Sequence, residues 1–581
     1  MVGRINPRDA GRRPLDPRTL LMAILLVAVV ASALTAQISM LAAAKLGTVD
    51  AEIPVNPLTT LALVLRGRLA WPPMATVVAA ILWIVLISVT VSVRKAIPKR
   101  SKTSFDDAQQ YLAPKEDVDS LSKKEMSKKA RRFVDDELAQ NNPGIRMGKA
   151  YRTKKYLYSS WEDLYLIIFG PRGGKTSAEV IPAIVEAPGV VVTTSIRRDI
   201  VDETIGVTSA RGNVWVFDPQ DIASGIEAED WFFDPLDIIR INPDTMDVKA
   251  YWLADIFQAA NRPDDSTGVD PFFAPAARNL LTALLLAAAL DNRPISVVNE
   301  WAGQVNDLTP VGILEAYPQW QHWADSLRSM YNTVSETRDG FFKQAQTVTQ
   351  ELSFGVFRRW TTPKPRRRRF DINAFVRSKA DTLYVLSKND GTAPVGLTTA
   401  LVSSVMKAAE RYGDEVGGPS GRLPVPLVAP LDEAANLVRW PELPELYSHY
   451  GGRGIILMTI LQSYSQGEQR WGQHGMRKLW GSASMRLIGG GVVDDILLDM
   501  AVKLLGNKVI WEKSYSYNDG NASVSESKHE TNILDTSQIA RIPQGIAILL
   551  SSFRAPMIIN TVPWWERSYS KEIMQLLPRK R

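Results

Sequence analysis

The chain has 581 residues, of which 45% are hydrophobic and 22% charged, the composition of a folded protein of two or three domains and not of a disordered one. It contains no cysteine and only 4 histidines, so disulfides and thiolate chemistry are excluded and a structural zinc site is strongly disfavoured. The net charge of +6 permits a nucleic-acid or anionic-lipid partner without requiring one.

The first hundred residues contain two long apolar segments. The chain is almost wholly apolar from Thr19 to about Ala44 and again from Met74 to Val93, and each segment can cross about 30 Å of hydrocarbon as a helix. A cleaved signal peptide is the alternative for the first segment, but that segment is longer than a typical signal sequence core and a second one follows. We therefore predict transmembrane helices at 19–44 and 74–93, joined by an extracytoplasmic loop at 45–73.

Basic residues around these segments set the predicted orientation. Several arginines, from Arg4 to Arg18, precede the first segment, and a second basic group, from Arg94 to Lys102, follows the second segment. The loop between the segments is poorer in basic residues and also carries Asp50 and Glu52. The positive-inside rule then places both termini in the cytoplasm. The tail at 1–18 and a large body after the second helix are expected to be cytosolic.

The remainder of the chain has the pattern of an α/β protein. A charged, helix-prone stretch without a sustained apolar face occupies most of 94–150, and we interpret it as a connector. Beyond it, short β-rich runs bounded by turn residues alternate with helical stretches, which predicts a parallel sheet covered on both faces. Six such runs are found, at 164–169, 189–195, 213–218, 381–387, 426–433 and 454–462.

The alternation stops between about Tyr251 and Ala380, where helical segments occur with almost no β-like pattern. The apolar run at 276–290 is too short to span a bilayer and contains Arg278, so a buried helix is predicted. We therefore expect an all-α domain at 251–380, inserted between two parts of the sheet domain, 151–250 and 381–581. Near its end, "KPRRRR" (364–369) is either a solvated loop or an anion-facing patch. The polar stretch 514–532 is predicted to be a mobile surface loop.

The segment "IIFGPRGGKT", Ile167 to Thr176, resembles a phosphate-binding loop that is one residue short. A standard loop has a glycine six places before its lysine, but Phe169 holds that place here. The glycines let the backbone approach a phosphate, the following helix presents its N–H groups, and Lys175 can reach the terminal phosphates. Thr176 can give its hydroxyl to Mg²⁺. The candidate nucleotide-binding residues are Gly170, Pro171, Arg172, Gly173, Gly174, Lys175, Thr176 and Ser177.

The complementary part of such a site is the run "PLVAPLDEAANL", an apolar strand that ends in Asp432 and Glu433. Asp432 can hold the water shell of Mg²⁺, and Glu433 can polarise an attacking water. The alternative is an acidic pair that caps a helix N-terminus. A further predicted strand ends at Gln462, which is either an ordinary strand-end glutamine or a sensor of the γ-phosphate. The sequence therefore predicts a site for ATP and Mg²⁺, with Thr176 and Asp432 on the metal.

These motifs, in this order, resemble the coupling proteins of type IV secretion and bacterial conjugation, the TraG/TraD kind. The resemblance rests on the two amino-terminal segments, "GPRGGKTSAEVIPAI", "VWVFDPQ", "FFDPLDIIRINP", "LDEAANL" and "ILQSYSQGEQRWG", and it extends to the late "SSFRAPMIINTVPWWER". It implies a RecA-like P-loop ATPase domain that carries an all-α domain and is anchored in the inner membrane. It also implies a homo-hexameric ring that uses ATP hydrolysis to recruit single-stranded DNA with its relaxase and move both into the secretion channel.

The resemblance also implies roles for single residues. Lys175 and Thr176 match the phosphate lysine and the Mg²⁺-binding hydroxyl. Asp432 and Glu433 match the metal aspartate and the catalytic glutamate, and Gln462 matches the glutamine of the following strand.

Hydrolysis in the family further uses a basic residue from the neighbouring subunit. Arg453 is our candidate, with Arg470 or Arg486 as alternatives. Relatives usually read Gly-Pro-x-x-x-Gly-Lys, so the missing residue predicts weakened but real ATP binding. Two other functions stay open, a non-hydrolysing membrane receptor that docks relaxase or protein cargo, and a double-stranded DNA pump of the chromosome-segregation kind.

Overall fold

A computed structural model of the full chain describes residues 17–47, 52–96, 104–225, 231–261, 273–388, 390–518 and 521–577. The chain divides into two compact units, Met1–Lys102 and Thr103–Arg581, and each is described by itself. Most of the tail predicted at 1–18 lies outside the described residues.

The first unit is helical. It contains α1 (Pro17–Lys45), α2 (Pro57–Leu65) and α3 (Pro73–Ala96). Met40 and Ala43 of α1 pack with Leu69 and with Ala75 of α3 in a small apolar cluster. Helices α1 and α3 coincide with the two segments predicted to span a membrane.

One helix among the described residues is long and apolar enough to cross a membrane by length and composition, and it lies in the second unit. This helix is Phe273–Leu290, and 67% of it is buried inside the protein. The apolar parts of the first unit whose side chains are described, Val29–Lys45 and Pro73–Ser88, are shorter.

The second unit is built on an eleven-stranded sheet. The strands of the unit are β1 (Arg146–Ala150), β2 (Tyr156–Tyr158), β3 (Tyr165–Ile168), β4 (Val191–Ser195), β5 (Val214–Phe217), β6 (Trp231–Phe232), β7 (Arg368–Arg369), β8 (Thr382–Leu386), β9 (Leu427–Leu431), β10 (Ile455–Leu461), β11 (Met485–Gly489), β12 (Asn507–Asn518), β13 (Asn521–Asn532), β14 (Ile546–Ser551) and β15 (Met557–Asn560). The order in the sheet is β2-β1-β15-β14-β11-β3-β10-β9-β4-β8-β5.

Strands from β11 to β5 in this order are parallel, whereas β14, β15, β1 and β2 extend the sheet in antiparallel pairs. All six predicted runs are strands of the parallel part. They read as continuous apolar runs because both faces are covered, and all seven residues of β10 are buried. The predicted α/β fold with a mostly parallel sheet is confirmed, and the antiparallel extension was not predicted.

Helices cover the sheet and form the region between β6 and β8. They are α4 (Ser104–Ala108), α5 (Lys115–Ser120), α6 (Lys123–Ala130), α7 (Asp136–Asn141), α8 (Ile181–Glu186), α9 (Asp199–Ser209), α10 (Asp237–Arg240), α11 (Met246–Ala260), α12 (Phe273–Leu290), α13 (Ser296–Ala302), α14 (Thr309–Glu315), α15 (Gln321–Tyr331), α16 (Ser335–Val348), α17 (Gly355–Thr361), α18 (Ile372–Arg377), α19 (Val395–Val416), α20 (Ala434–Leu437), α21 (Leu443–Leu446), α22 (Tyr464–Ser482), α23 (Asp495–Leu505), α24 (Thr536–Ala540) and α25 (Ser570–Leu576).

Helix α12 lies at the centre of the helical region and is buried along most of its length, so the predicted buried helix is confirmed. The arginine run 364–369 lies at the border of this region. Arg369 forms an ion pair with Asp237, and the guanidinium of Arg368 lies 4.4 Å from the ring centre of Trp215. Part of the run is therefore packed on the body, while Arg366 is exposed with a left-handed φ of 72°.

The prediction of a mobile loop at 514–532 is wrong. These residues form most of a two-stranded hairpin in which β12 and β13 pair from Asn507↔Asn532 to Asn518↔Asn521. The stretch contains Asp519-Gly520 between two runs of alternating residues, which is a strong hairpin signal in the sequence, although those two residues lie outside the described part.

The predicted connector also packs on the body. In its helical stretch, Phe105 and Ala108 are buried, and Ala113 donates its N–H to the carbonyl of Pro556 at 2.9 Å.

A buried ion-pair cluster fastens the carboxy-terminal segment to the end of α8. Glu186 accepts from Arg567 at 2.8 Å, from Arg146 at 2.6 Å and from the hydroxyl of Tyr569 at 2.8 Å. The side chain of Arg567 is fully buried, and it also donates to the carbonyl of Ala178 at 3.1 Å. Removing one partner of such a cluster leaves an uncompensated buried charge.

We expect Arg567→Ala to destabilise the second unit by about 3 kcal/mol, because Glu186 then loses its most buried cation. Arg198→Ala, which breaks a more exposed ion pair with Asp202, should cost less than about 1 kcal/mol. Urea unfolding of the purified protein followed by tryptophan fluorescence measures both. Equal losses for the two variants would contradict a stabilising role for the cluster.

Candidate nucleotide-binding site

The candidate site lies where three neighbouring parallel strands end. Strand β3 pairs with β10 so that Ile168 lies beside Leu461, and β10 pairs with β9 so that Thr459 lies beside Leu431. The carboxyl ends of parallel strands share one edge of a sheet, and ligands bind outside that edge. The sequence motifs that follow the three strands are therefore brought together.

The phosphate-binding loop leaves β3 and packs against a second glycine-rich turn. Gly170 donates its N–H to the carbonyl of Gly490 at 3.1 Å, and a Cβ at Gly170 would lie 1.9 Å from the carbonyl oxygen of Gly491. Only glycine fits there. Gly174 has a φ of +85°, which favours glycine as well. This second turn is not among the sequence-based predictions, although three consecutive glycines after an apolar run are a usable signal.

The helix after the loop begins with an unusual turn. Thr176–Val180 is π-helical and continues into α8. A π turn closes its hydrogen bonds over one residue more than an α turn, and such turns often occur at functional sites. The loop is one residue short, and the turn that follows it takes up one residue more.

The acidic pair and the loop contact each other directly. Lys175 forms ion pairs with Glu433 and, at 3.3 Å, with Asp432. The hydroxyl of Thr176 donates to the other carboxylate oxygen of Asp432 at 3.1 Å. The structure thus brings together two pairs of predicted residues, Lys175–Thr176 and Asp432–Glu433, that lie more than 250 positions apart in the chain.

Glu433 is held by two side-chain amides besides Lys175. Gln462, after β10, donates to Oε1 at 2.7 Å, and Asn436 donates to Oε2 at 3.1 Å. The backbone of Glu433 is left-handed, with φ 56° and ψ 39°, which costs a non-glycine residue about 1 kcal/mol. Asn436 was not predicted, although its place three residues after Glu433 puts it within reach on a helical turn.

Burial of the acidic pair disfavours the negative charges of its carboxylates. Asp432 and Glu433 are only 4% and 3% exposed. Burial raises the pKa of Asp432 above its ordinary value, and the positive charge of Lys175 opposes that shift. Lys175 therefore supplies most of the charge compensation that the carboxylates need in this state.

Glu179, in the π turn, is also buried. Burial raises its pKa to about 8, while the nearby Arg567 lowers it. Its Oε1 has no hydrogen-bond partner among the described residues.

The three candidate arginines lie in different places. Arg453 precedes β10, at the end of the strand opposite to Gln462, and pairs with Asp414 at 2.5 Å. Arg486, in β11, donates to the carbonyl of Ala483 at 3.0 Å. Arg470, on α22, donates to the carbonyl of Ala435 at 3.0 Å and is therefore beside the acidic pair. A role for Arg453 in a neighbouring subunit stays a prediction.

The donor set fits magnesium. Among the described residues no group of three or more His, Cys, Asp or Glu side chains could hold a metal ion by itself. Mg²⁺ usually takes one or two protein oxygens and keeps water and substrate phosphates for the rest. The buried carboxylate of Asp432 beside the hydroxyl of Thr176 offers such a pair.

Sheet order, glycine-rich loop and acidic strand end together give an α/β fold with a mostly parallel sheet that resembles a RecA-like domain. Residues 426–544, from the residue before β9 to the turn before β14, match the family model described as the TraM recognition site of TraD and TraG. No curated protein matches the chain. The predicted resemblance to conjugative coupling proteins of the TraG/TraD kind is confirmed by this match together with the fold similarities that follow.

Solved structures of one coupling protein share the fold. The unbound monoclinic form of bacterial conjugative coupling protein TrwBdeltaN70 aligns with a TM-score of 0.53 at 15% identity, over 76% of this chain and 92% of that one. Plasmid coupling protein TrwB with ADP and Mg²⁺ aligns at 0.50 and 16% identity, over 69% and 85%. TrwB with the GTP analogue GDPNP aligns at 0.50 and 16% identity, over 69% and 86%.

We expect Glu179→Gln to become increasingly stabilising, relative to the wild type, as pH rises. The folded wild type keeps a proton up to about pH 8, whereas the unfolded carboxyl loses it near 4.5, so the stability that Glu179 contributes is lost as pH rises through this interval. Glutamine is neutral throughout. Unfolding midpoints between pH 5 and 9 measure the difference, and the exposed Glu566→Gln should show none. A pH-independent difference at residue 179 would contradict the raised pKa.

Proposed function

We propose that the chain is a coupling ATPase of a conjugative type IV secretion system, which recruits single-stranded DNA and its relaxase and moves them with energy from ATP hydrolysis. The observation that carries the proposal is the convergence of Lys175, Thr176, Asp432, Glu433 and Gln462 at one edge of the sheet. The TrwB complexes with ADP and Mg²⁺ and with GDPNP, which share the fold, support a nucleotide at this edge.

In this proposal each residue has a defined task. Glycines of the loop admit the phosphates, Thr176 and Asp432 hold Mg²⁺, and Lys175 compensates the charge of the terminal phosphates. Mg²⁺, when bound, supplies positive charge to the β- and γ-phosphate oxygens. Because Lys175 is now paired with Glu433, nucleotide binding requires Lys175 to exchange this carboxylate for phosphate.

That exchange prepares Glu433 for hydrolysis. Once Lys175 has turned to the phosphates, Glu433 keeps its bonds to Gln462 and Asn436 and can accept a proton from the attacking water. Gln462 connects this carboxylate to the end of β10 and is placed to respond when the γ-phosphate leaves. Arg453 of an adjacent copy in a homo-hexameric ring remains the proposed cation in trans.

ATP turnover and binding by the full-length protein test the proposal. We expect Lys175→Ala to lose nucleotide binding, since the phosphates lose their main cation. Glu433→Gln should still bind but turn over at least about a hundredfold more slowly, because glutamine cannot accept the proton. Binding is measured with a fluorescent ATP analogue in the presence of Mg²⁺, and turnover by phosphate release with and without single-stranded DNA.

The exposed Lys343→Ala is the matched control and should behave like the wild type. Binding without turnover in the wild type would support the second candidate, a membrane receptor for relaxase or protein cargo. That candidate is favoured by one observation, the shortened loop. If the wild type does not bind the nucleotide in the presence of Mg²⁺, the proposed ATP–Mg²⁺ site is contradicted.

We further propose that α1 and α3 anchor the protein in the inner membrane as two spans, with both termini and the second unit in the cytoplasm. The apolar segments 19–44 and 74–93 and the basic residues outside them support this topology. Membrane attachment would place the motor beside the secretion channel.

Because the chain has no cysteine, single introduced cysteines report the topology without background. Val55 is 95% exposed in the loop between α1 and α2, so Val55→Cys should react with a membrane-impermeant maleimide added to spheroplasts. Ser420→Cys, exposed in the second unit, should react only after lysis. Labelling of both variants, or of neither, before lysis would contradict the two-span topology.

A further inference from the structure

The acidic pair has a structural connection to the helical region that none of the proposed catalytic tasks uses. It starts at Asn436, whose amide holds Oε2 of Glu433 at 3.1 Å. Asn436 belongs to α20, a single helical turn, and the N–H groups of Asn436 and Leu437 donate back to the carbonyl of Glu433 at 2.9 and 3.0 Å. Any movement of α20 therefore moves both the backbone and the carboxylate of Glu433.

The far end of α20 is attached to the helical region through Arg439. Its guanidinium donates to the carbonyl of Ala260 at 2.8 Å, and Ala260 is the last residue of α11. A cation at a helix C-terminus compensates the partial negative charge of the last carbonyl groups. The backbone N–H of Arg439 donates to the hydroxyl of Thr399, on α19, at 3.1 Å.

Helix α19 is itself attached to the helical region at its first turn. Glu351, between α16 and α17, is buried and accepts from the N–H groups of Gly396 at 3.1 Å and Leu397 at 2.7 Å. A Cβ on Gly396 would lie 2.5 Å from Oε1 of Glu351, so the contact is tight. Two separate attachments, one through Ala260 and one through Glu351 and Thr399, therefore converge on Arg439.

We propose that Asn436 and Arg439 are positioning residues that couple the helical region to Glu433, so that displacement of that region changes the placement of the catalytic carboxylate. The inference rests on the proposed ATPase function. Glu433 sits in a left-handed conformation and its carboxylate must be aimed by donors. Gln462 aims one oxygen from the end of β10, and Asn436 aims the other from α20, which Arg439 attaches to the helical region. The helical region thereby controls hydrolysis without contacting nucleotide.

The proposal predicts that loss of either residue lowers kcat and leaves KM for ATP nearly unchanged. The hydrogen bonds described for Asn436 and Arg439 go to Glu433, Thr399 and Ala260 and not to the phosphate loop, so Asn436→Ala and Arg439→Met should leave KM for ATP within about twofold. Each should lower kcat roughly tenfold or more, since small displacements of a catalytic group are costly. Because the two residues act in series, the double variant should be no slower than Asn436→Ala alone, whereas independent effects would multiply. The exposed Asn332→Ala is the control and should match the wild type.

A second variant tests positioning by hydrogen bonding. Asn436→Asp keeps the shape of the side chain but removes the amide N–H that donates to Oε2 of Glu433, so kcat should fall while KM stays within about twofold. A merely structural role of Asn436 would leave kcat of this isosteric variant close to that of the wild type.

Turnover of the full-length protein as a function of ATP concentration gives all of these values. Multiplicative losses, a changed KM with unchanged kcat, or an unchanged kcat in Asn436→Asp would each overturn the coupling while leaving the ATPase function intact. A wild type without turnover would overturn the ATPase function and the coupling together.

Discussion

The ion pairs between Lys175 and the carboxylates of Asp432 and Glu433 are the interactions on which the site depends. Two carboxylates that are nearly inaccessible to water repel each other and are poorly solvated, and the adjacent cation offsets both costs. Lys175 reaches them because β3 and β9 flank β10 in parallel and all three strands end at the same edge. The sheet order is therefore what makes the site electrostatically possible.

Under the proposed ATPase function, the same contacts pair Lys175 with the carboxylate that is proposed as the base. The backbone of Glu433 is left-handed, which is a strained conformation for a residue other than glycine. Strain of this kind persists only where surrounding contacts over-determine it. Here these contacts come from three directions: the phosphate loop, the end of β10 through Gln462, and α20 through Asn436.

The parts of the molecule that could be predicted are those whose signal is local. Buried parallel strands are continuous apolar runs, so six of the seven strands in the parallel part are predicted and only β11 among them is not. Lys175 is identified because it ends a glycine-rich loop that follows such a run, and Asp432, Glu433 and Gln462 because each stands at the end of one. The missed features depend on contacts between distant segments. Gly490 and Gly491 matter because Gly170 packs on them, and the pairing of β14 with β11 spans about sixty residues of sequence. The polar composition of 514–532 favours a loop, whereas the alternation of its residues favours strands, and the structure shows the strands β12 and β13.

The shortened loop is followed directly by a π turn and still contacts the acidic strand end. In this chain the helix after the loop begins with the π turn Thr176–Val180, and the hydroxyl of Thr176 lies 3.1 Å from Asp432. Under the proposed ATPase function, this contact is what puts Thr176 and Asp432 together as the two protein oxygens offered to Mg²⁺.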